Sequence, residues 1–365
     1  MPEMTRQYRA IGLMSGTSLD GIDAAVIETD GEAILSKGAR LCRSYDPEFR
    51  ARLRSSLGAM EPTAEISALE ADLTDRHAAA VQDLLAQAGL TASDIDVVGF
   101  HGQTINHMPA RQWTWQIGLG DRLARAVGID TVYDLRGADV QAGGEGAPLA
   151  PVYHRALARD LDFPLAVLNL GGVGNLTYLE GPDSEPVAFD TGPANALLDD
   201  WIGRNGTEAM DRDGTVSAAG TVDAGVLAAL MDNAYFSAPY PKSLDRNAFD
   251  PTPVEALELE DGAATLAAFT VESVGRGADL LPTRPCRVLV TGGGRRNPTI
   301  MRGLAERIGV PVDPVESVGW DGDALEAQAF AFMAVRSLLG LPISFPQTTR
   351  APRPMTGGRL VRVSG

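Results

Sequence analysis

The chain opens with two apolar runs separated by a short polar turn. Ile11, Leu13 and Met14 lead into the turn, and residues 24–27 lead out of it. The turn consists mainly of glycine, hydroxyl and carboxylate residues, Ser15-Gly-Thr-Ser-Leu-Asp-Gly21. Apolar runs separated by such residues predict two strands joined as a β-hairpin.

The tip of this hairpin suits an anion. A tip without bulky side chains lets backbone N–H groups and hydroxyls converge on one point. Asp20 or Asp23 could then hold Mg²⁺ beside the anion, because hard carboxylate oxygens suit this cation. An ordinary Asp-Gly hairpin with no ligand explains the stretch equally well. The rest of the chain has to decide between the two.

A second hairpin of the same layout follows near the middle of the chain. A strand is predicted over 165–170, a glycine turn over 171–174 and a returning strand over 175–179. Each hairpin opens about half of the chain. The sequence therefore predicts a duplicated architecture, although the identity between the halves is too low for a sequence repeat.

The apolar periodicity also predicts the other main elements. A helix is expected over 63–89 with Gly89 as its stop, and His77 on its apolar face is expected to be a buried structural histidine. Polar His101-Gly-Gln-Thr104 follows a predicted strand, which is where α/β folds bind ligands. The glycine-rich stretch 141–149 suits a loop at an interdomain cleft. The remaining predictions are strands at 96–100, 115–120, 129–133, 187–190 and 286–291, helices at 121–127, 194–202 and 323–339, and an extended tail after 340.

Two later motifs carry candidate chemistry. Asp190 ends a predicted strand just before Thr-Gly-Pro193, and Pro193 is expected at the first position of the next helix. An N-cap aspartate explains Asp190 as well as a catalytic role does. Gly292-Gly-Gly294 lies between a strand and a helix that starts at Pro298, where phosphate is favoured. A triple glycine alone is a weak signal.

Composition narrows the class of protein. A chain of 365 residues is expected to form two domains. The net charge of −17 disfavours nucleic acid and anionic membranes, but a local nest of amides can still hold ATP. Apolar runs shorter than the roughly 18 residues of a membrane span, and a polar start, predict neither a membrane segment nor a secretory signal. Two distant cysteines fit a reducing cytoplasm, and the four histidines lack the spacing of a zinc hydrolase. Neither a P-loop nor a dinucleotide fingerprint is present.

Taken together, the motifs resemble the anhydro-N-acetylmuramic acid kinase family of the actin/hexokinase/Hsp70 superfamily. The resemblance covers most of the chain, in the family's order. It rests on Ser15 to Asp23, His101 to Ile105, Asp134 to Arg136, Gly143 to Leu149, Phe189-Asp-Thr-Gly-Pro193 and Thr291-Gly-Gly-Gly294. Three segments depart from the family pattern: Gly192-Pro-Ala-Asn195, Pro241-Lys-Ser-Leu-Asp-Arg-Asn247 and the C-terminal tail.

The resemblance implies a fold and an activity. The fold is α/β, a two-domain actin-like ATPase (ribonuclease H-like) with a duplicated mixed-sheet core, and the domains are expected at 1–135 with 340–365 and at 136–339. The activity is an ATP-dependent opening of 1,6-anhydro-N-acetylmuramic acid with phosphorylation of O6, in cell-wall recycling. Mg²⁺ with ATP, a cytoplasmic location and a homodimer are implied as well.

The resemblance also implies a role for each candidate residue. Asp190 is the expected base that activates water. Arg136 suits the lactyl carboxylate of the sugar as a forked cation, although an ion pair with Asp134 or Asp139 would explain it too. The expected ATP-binding residues are Ser15, Gly16, Thr17, Ser18, Leu19, Asp20, Gly21, Ile22, Gly171, Gly172, Gly292, Gly293 and Gly294, with Asp20 on the metal. The expected substrate residues are Thr104, Asp134, Arg136 and Glu326.

Three other functions stay open at this point. A kinase of the same fold could act on another anhydro sugar, such as levoglucosan. A nucleotide-gated module of the actin/Hsp70 type would hydrolyse ATP slowly and ignore sugars, and the Asp190 motif argues against it. A glycosidase with paired carboxylates would need no ATP, which the glycine hairpins disfavour.

Overall fold

The computed structural model describes residues 6–16, 18–244 and 248–363. The chain divides into two compact units, Met1–Arg159 with Ala324–Gly365, and Asp160–Asp323. We call them the first and second unit. The predicted boundaries at 135/136 and 339/340 differ from this division. The reason is that the helix at 325–338 packs on the first sheet, so the chain returns to the first unit well before residue 340.

The first unit is built on a mixed sheet whose centre is the opening hairpin. Its strands are β1 (Tyr8–Ser15), β2 (Gly21–Thr29), β3 (Ile34–Ser44), β4 (Val97–Met108), β5 (Trp113–Ile117), β6 (Thr131–Tyr133) and β12 (Arg359–Val361). The order is β12-β6-β4-β1-β2-β3, and β5 pairs with β4. Strands β1, β2 and β3 form an antiparallel meander, whereas β4 is parallel to β1 and β6 is parallel to β4.

Helices cover this sheet on both faces. They are α1 (Pro47–Ser56), α2 (Ala64–Ala88), α3 (Gly120–Val127), α4 (Gly137–Gln141), α5 (Pro151–Leu157), α11 (Leu325–Leu338) and α12 (Pro346–Thr349). Helix α11 runs directly against β1 and β4 because both strands carry a glycine at the crossing. A Cβ on Gly12 would collide with the Ala327 carbonyl, and one on Gly99 with that of Phe330.

The second unit repeats this topology. Its strands are β7 (Leu165–Leu170), β8 (Val173–Leu179), β9 (Val187–Pro193), β10 (Arg287–Thr291) and β11 (Val312–Pro314), in the order β11-β10-β7-β8-β9. Its helices are α6 (Asn195–Asn205), α7 (Thr215–Ala219), α8 (Ala224–Met231), α9 (Leu259–Asp279) and α10 (Pro298–Ile308). As in the first unit, a meander starts at the hairpin and two parallel strands follow on its other side. The predicted α/β fold with a duplicated core is confirmed.

Several local predictions are confirmed. Helix α2 begins after its N-cap Thr63 and ends at Gly89, whose φ of 66° is left-handed. His77 is fully buried, and its Nδ1 lies 2.8 Å from the Leu73 carbonyl oxygen. Burial lowers the pKa of His77 to about 4, so it is a neutral core residue as expected. Helix α10 starts at Pro298 behind its N-cap Asn297.

Other local predictions are wrong. Strand β4 continues to Met108 because β5 pairs with its second half, so residues 101–104 lie within the strand rather than after it. Pro193 belongs to β9, and α6 begins only at Asn195. The tail contains α12 and β12 rather than extended structure alone.

Within the described residues, no single helix combines the length and apolar character needed to cross a membrane. One pair of helical segments, Arg212–Ala219 and Ala224–Met231, is long and apolar enough when taken together, but the two segments are bent by 117° relative to each other.

Candidate functional site

In the first unit, the sequence-predicted residues gather at one edge of the sheet. Ser15 at the end of β1 is in register with Gln103 on β4, so the hairpin tip lies beside Thr104. Asp134 directly follows β6, which runs parallel to β4. The carboxyl ends of parallel strands meet at the edge where α/β folds bind ligands. The hairpin tip, Thr104 and Asp134 therefore share this edge.

The hairpin tip presents an exposed edge on a buried base. Ser15, Leu19 and Ile22 are buried, whereas Ser18 and Asp20 are exposed. The Ser15 hydroxyl donates to Gln103 Oε1 over 2.6 Å and lies 2.8 Å from the Tyr45 hydroxyl. Its side chain therefore anchors the tip instead of offering a free hydroxyl. Gly16 and Gly21 are half-buried, and Thr17 lies outside the described residues.

Leu19 fixes the shape of the tip. Its φ of 59° lies in the left-handed region, and its side chain is buried in the core of the first unit. The Leu19 N–H donates to the Gly16 carbonyl over 3.1 Å and closes the turn. A tight turn whose leucine points inward leaves Ser18 and Asp20 on the outside.

Asp20 already has a partner on the protein. Its Oδ1 forms an ion pair with Arg50 over 2.8 Å, at a largely exposed position. No cluster of three or more metal-ligating side chains occurs among the described residues. A Mg²⁺ ion that arrives with a nucleotide needs only one or two protein carboxylates, because phosphates and waters supply the other ligands. Asp20 meets this requirement if Mg²⁺ replaces Arg50 as the partner of its carboxylate.

Arg136 is held by neutral groups rather than by a carboxylate. Its Nη1 donates to the Gly146 carbonyl over 2.8 Å, and its Nε and Nη2 lie 3.3 and 3.2 Å from His101 Nε2. His101 Nδ1 lies 2.9 Å from the Gly102 carbonyl, which can only accept, so Nδ1 carries the proton and Nε2 accepts from Arg136. Burial, with the charge of Arg136, holds the pKa of His101 well below its usual value.

The two ion pairs that could have explained Arg136 are not formed. Asp134 pairs with Arg359 over 3.0 Å. Asp139 accepts hydrogen bonds from the Gly146 N–H and from two hydroxyls, those of Ser344 and Thr349. Burial lowers the pKa of Arg136 to about 10, against the opposing charges of Glu326 and Asp139, so the guanidinium stays charged at neutral pH. A charged fork that has no ion pair with any described residue suits an anionic group of a ligand.

Beside this cluster lies a cavity of about 330 Å³ between β4, β5 and the end of β6. Asp134 lines it, with the aromatic rings of Trp115 and Tyr133 and the amide of Gln116. Gln116 Nε2 also donates to the Thr104 hydroxyl over 3.2 Å. The sequence gives no sign of Trp115 and Gln116, because only the pairing of β5 with β4 brings them to Thr104. Tyr133 ends β6 and joins the same cavity because β6 pairs with β4.

In the second unit, Asp190 is a half-buried residue inside β9. Its Oδ1 accepts from Asn175 Nδ2 and its Oδ2 from the Leu244 N–H, each over 2.8 Å. The N-cap explanation is wrong, because the residue preceding α6 is Ala194. The sequence suggested that Asp190 lies at a helix N-terminus, but the structure places it inside strand β9. Instead, two N–H donors hold its carboxylate, and an ionised carboxylate can accept from both.

The two glycine segments of the second unit lie close together. Gly171 and Gly172, in the β7–β8 turn, accept backbone hydrogen bonds from the first residues of α6. The Gly294 Cα lies against Leu170 and Asn195, where a Cβ would be crowded. Asn195 Nδ2 in turn donates to the Leu170 carbonyl over 2.8 Å. The turn and the triple glycine thus meet at the carboxyl ends of the parallel strands β7 and β10.

Comparisons with known proteins agree on one family. A family model described as anhydro-N-acetylmuramic acid kinase matches residues 8–362. The chain is similar to the anhydro-N-acetylmuramic acid kinase of Rhodospirillum rubrum, with 56% identity over 351 residues, 96% of this chain and 93% of the relative. It is also similar to the anhydro-N-acetylmuramic acid kinase of Rhizorhabdus wittichii, with 54% identity over 355 residues, which are 96% of this chain and 97% of the relative. A solved ROK family glucokinase from Streptomyces griseus is 15% identical, with 89% of this chain and 98% of that chain covered and a TM-score of 0.41.

Proposed function

The chain belongs to the anhydro-N-acetylmuramic acid kinase family, and we propose that it uses ATP to open and phosphorylate 1,6-anhydro-N-acetylmuramic acid. It is a kinase that acts on an anhydro amino sugar, as the resemblance of its motifs predicted. The family match over nearly the whole chain carries this conclusion. The roles of single residues, which follow, are proposals.

The reaction couples a hydrolysis to a phosphoryl transfer. In the 1,6-anhydro sugar, O6 is tied to C1 and has no hydrogen to lose. Water attacks C1, the C1–O6 bond breaks, and O6 takes the γ-phosphoryl group of ATP. The products are N-acetylmuramic acid 6-phosphate and ADP, and the proton released by the water goes to a base.

Asp190 is the proposed base. Its carboxylate is half-buried, and the N–H donors of Asn175 and Leu244 fix its orientation. A positioned carboxylate can accept the proton of the attacking water while C1 is opened. Most of the remaining catalysis in phosphoryl transfer comes from positioning and charge neutralisation.

The other candidate residues are proposed to bind the two substrates. Gly16, Ser18, Asp20 and Gly21, on the outer edge of the first hairpin, would bind the β- and γ-phosphates of ATP. Gly171, Gly172 and the triple glycine 292–294 would flank the rest of the nucleotide. Mg²⁺ would neutralise phosphate charge when bound, with Asp20 as its protein ligand. Ser15, Leu19 and Ile22 would support the tip from inside.

On the sugar side, Arg136 is the proposed ligand of the lactyl carboxylate. Thr104, Asp134 and Glu326 are the proposed partners of the sugar hydroxyls and the N-acetyl group. Arg136 is charged, half-buried and already oriented by His101 and Gly146, which supports this assignment. We also propose that the enzyme acts in the cytoplasm. We further propose that it is a homodimer, and its molar mass in light scattering would test this oligomeric state.

A substrate panel tests this proposal. ADP release is measured with 1,6-anhydro-N-acetylmuramic acid, levoglucosan and free N-acetylmuramic acid, in water enriched in ¹⁸O. We expect turnover with the first compound, and ¹⁸O in the sugar but not in the transferred phosphate. Preference for levoglucosan would indicate a kinase for a different anhydro sugar. Label in free phosphate without a sugar product would indicate a simple ATPase and contradict the proposal.

A further inference from the structure

Lys242 is a buried cation that the proposed mechanism does not use. It is 6% exposed, and none of the ion pairs among the described residues includes it. An isolated ammonium in a protein interior is costly unless other groups stabilise it. Burial accordingly lowers the pKa of Lys242 to about 8. A cation kept at this position calls for a physical reason.

The ammonium of Lys242 binds Tyr235 in two ways. Its Nζ donates to the Tyr235 carbonyl over 2.7 Å and lies 4.5 Å from the centroid of the Tyr235 ring. The Phe189 ring, just before Asp190, is 5.9 Å away on β9. Cation–π contacts of this kind offset part of the lost hydration. Lys242 therefore ties the 235 region to its own segment.

Both partners also bind the backbone of Asp190. The Tyr235 hydroxyl donates to the Asp190 carbonyl over 2.6 Å, and the Asp190 N–H donates to the Lys242 carbonyl over 2.9 Å. Strand β9 is the outermost strand of its sheet, so one of its edges has no partner strand. Tyr235 and Lys242 therefore supply hydrogen-bond partners for the backbone groups of Asp190 on that edge. Two residues further along, the Leu244 N–H reaches the Asp190 carboxylate.

These contacts form a closed ring of three residues. Lys242 binds Tyr235, Tyr235 binds Asp190, and Asp190 binds Lys242. Next to the ring, Tyr240 stacks on Phe189 with the ring centroids 5.2 Å apart. The ring thus holds the segment 240–244 at the distance at which its N–H can reach the carboxylate.

We propose that Lys242 is a positioning residue for Asp190, which acts through Tyr235 and the segment 240–244 to fix the orientation of the catalytic carboxylate. This inference rests on the proposed role of Asp190 as the base. It also gives a function to the segment beginning at Pro241, which departs from the family pattern after Ser243.

The test uses Lys242→Met, which keeps the length of the side chain and removes its donor. We expect kcat to fall at least about 10-fold, because a misplacement of about 1 Å can cost up to 100-fold. The KM values for ATP and for the sugar should stay within about 2-fold, since Lys242 contacts neither proposed binding site. A residue that only stabilises the fold would instead lower the melting temperature and leave kcat unchanged.

Tyr235→Phe is the second variant, because it removes one hydroxyl and keeps the packing. It should lower kcat in the same way but less, and the double variant should lose less than the product of the two single losses, because both act through one ring. Tyr178→Phe is the matched control, since Tyr178 pairs with Val187 at the far end of β8 and takes no part in the ring. It should keep the parent kcat.

The outcomes separate this proposal from the one on which it rests. If Asp190→Asn abolishes turnover but Lys242→Met and Tyr235→Phe both keep the parent kcat, the positioning role is wrong and the base assignment stands. If Asp190→Asn itself keeps turnover, the base assignment fails. If Lys242→Met does not fold, Tyr235→Phe alone decides, and an unchanged kcat overturns the inference.

Discussion

Removal of the Asp139 carboxylate should unlock the glycine-rich loop from the rest of the first unit. Asp139 is 2% exposed and lies in α4. It accepts hydrogen bonds from the Gly146 N–H in the loop and from Ser344 and Thr349 in the C-terminal segment. The Glu145 N–H adds a bond to the Thr349 carbonyl over 2.5 Å. The glycine-rich loop that the sequence predicts is therefore tied to the rest of the first unit at this point.

The magnitude follows from the three donors that lose Asp139 as their acceptor, of which the Thr349 hydroxyl keeps only the Phe345 carbonyl oxygen at 3.5 Å. Each unsatisfied buried donor costs about 1–3 kcal/mol, and the removal of a buried charge offsets part of the sum. We expect a net loss of about 3 kcal/mol in the free energy of unfolding. For a unit of roughly 200 residues, this corresponds to a fall of about 6–12 °C in the melting temperature.

The assay is denaturant unfolding, with thermal unfolding as a second measurement. Asp83→Ala is the matched control, because within the described part of the chain Asp83 forms an exposed ion pair with Arg43. This variant should lose less than about 1 kcal/mol in the free energy of unfolding. Asp139→Asn should lie between the two, since its amide oxygen can still accept from Gly146. A loss below about 1 kcal/mol for Asp139→Ala would refute the view that this carboxylate holds the loop.

Three further predictions concern binding, packing and pH. Arg136→Ala should raise the KM for the muramic substrate at least about 10-fold and leave the KM for ATP unchanged, because hydrogen bonds to a charged group contribute about 1.5–3 kcal/mol; equal effects on both KM values in steady-state kinetics would contradict its role. Gly12→Ala should lower the melting temperature by more than about 5 °C, because its Cβ would collide with the Ala327 carbonyl of α11. Gly203→Ala in α6 is the control, because its Cβ would meet no atom within 4 Å. Because the pKa of His77 is lowered to about 4 in the fold, the unfolded chain binds its proton first, and the folded state should lose about 2 kcal/mol between pH 7 and pH 5 through this residue. Urea titrations at both pH values should show a smaller loss in His77→Leu, and an unchanged loss would contradict this explanation.

The elements with strong local patterns could be predicted from the sequence. The two hairpins follow from apolar runs around glycine turns, and α2 follows from its periodicity and from Thr63 and Gly89 at its ends. The two sheets share a core of two parallel strands followed by an antiparallel meander, β6-β4-β1-β2-β3 and β11-β10-β7-β8-β9, which agrees with the predicted duplication. These features depend on neighbouring residues, which is the information that a single sequence carries.

The surroundings of the candidate residues could not be predicted. Asp190 was expected at a helix start, but its partners Tyr235 and Leu244 are 45 and 54 residues away in the chain. Likewise, β4 extends to Met108 because β5, which comes later in the chain, pairs with its second half. Such contacts depend on tertiary packing, so the sequence could name Asp190 but not the groups that orient it.

The most direct test of the account is single-turnover kinetics of Asp190→Asn with saturating ATP and 1,6-anhydro-N-acetylmuramic acid, together with ATP binding by calorimetry. Asparagine keeps the size of the side chain and can still accept from one N–H, but it cannot take a proton from water. The account predicts a loss of turnover of at least about 100-fold with an ATP affinity within about 2-fold of the parent. Turnover close to that of the parent enzyme would contradict it.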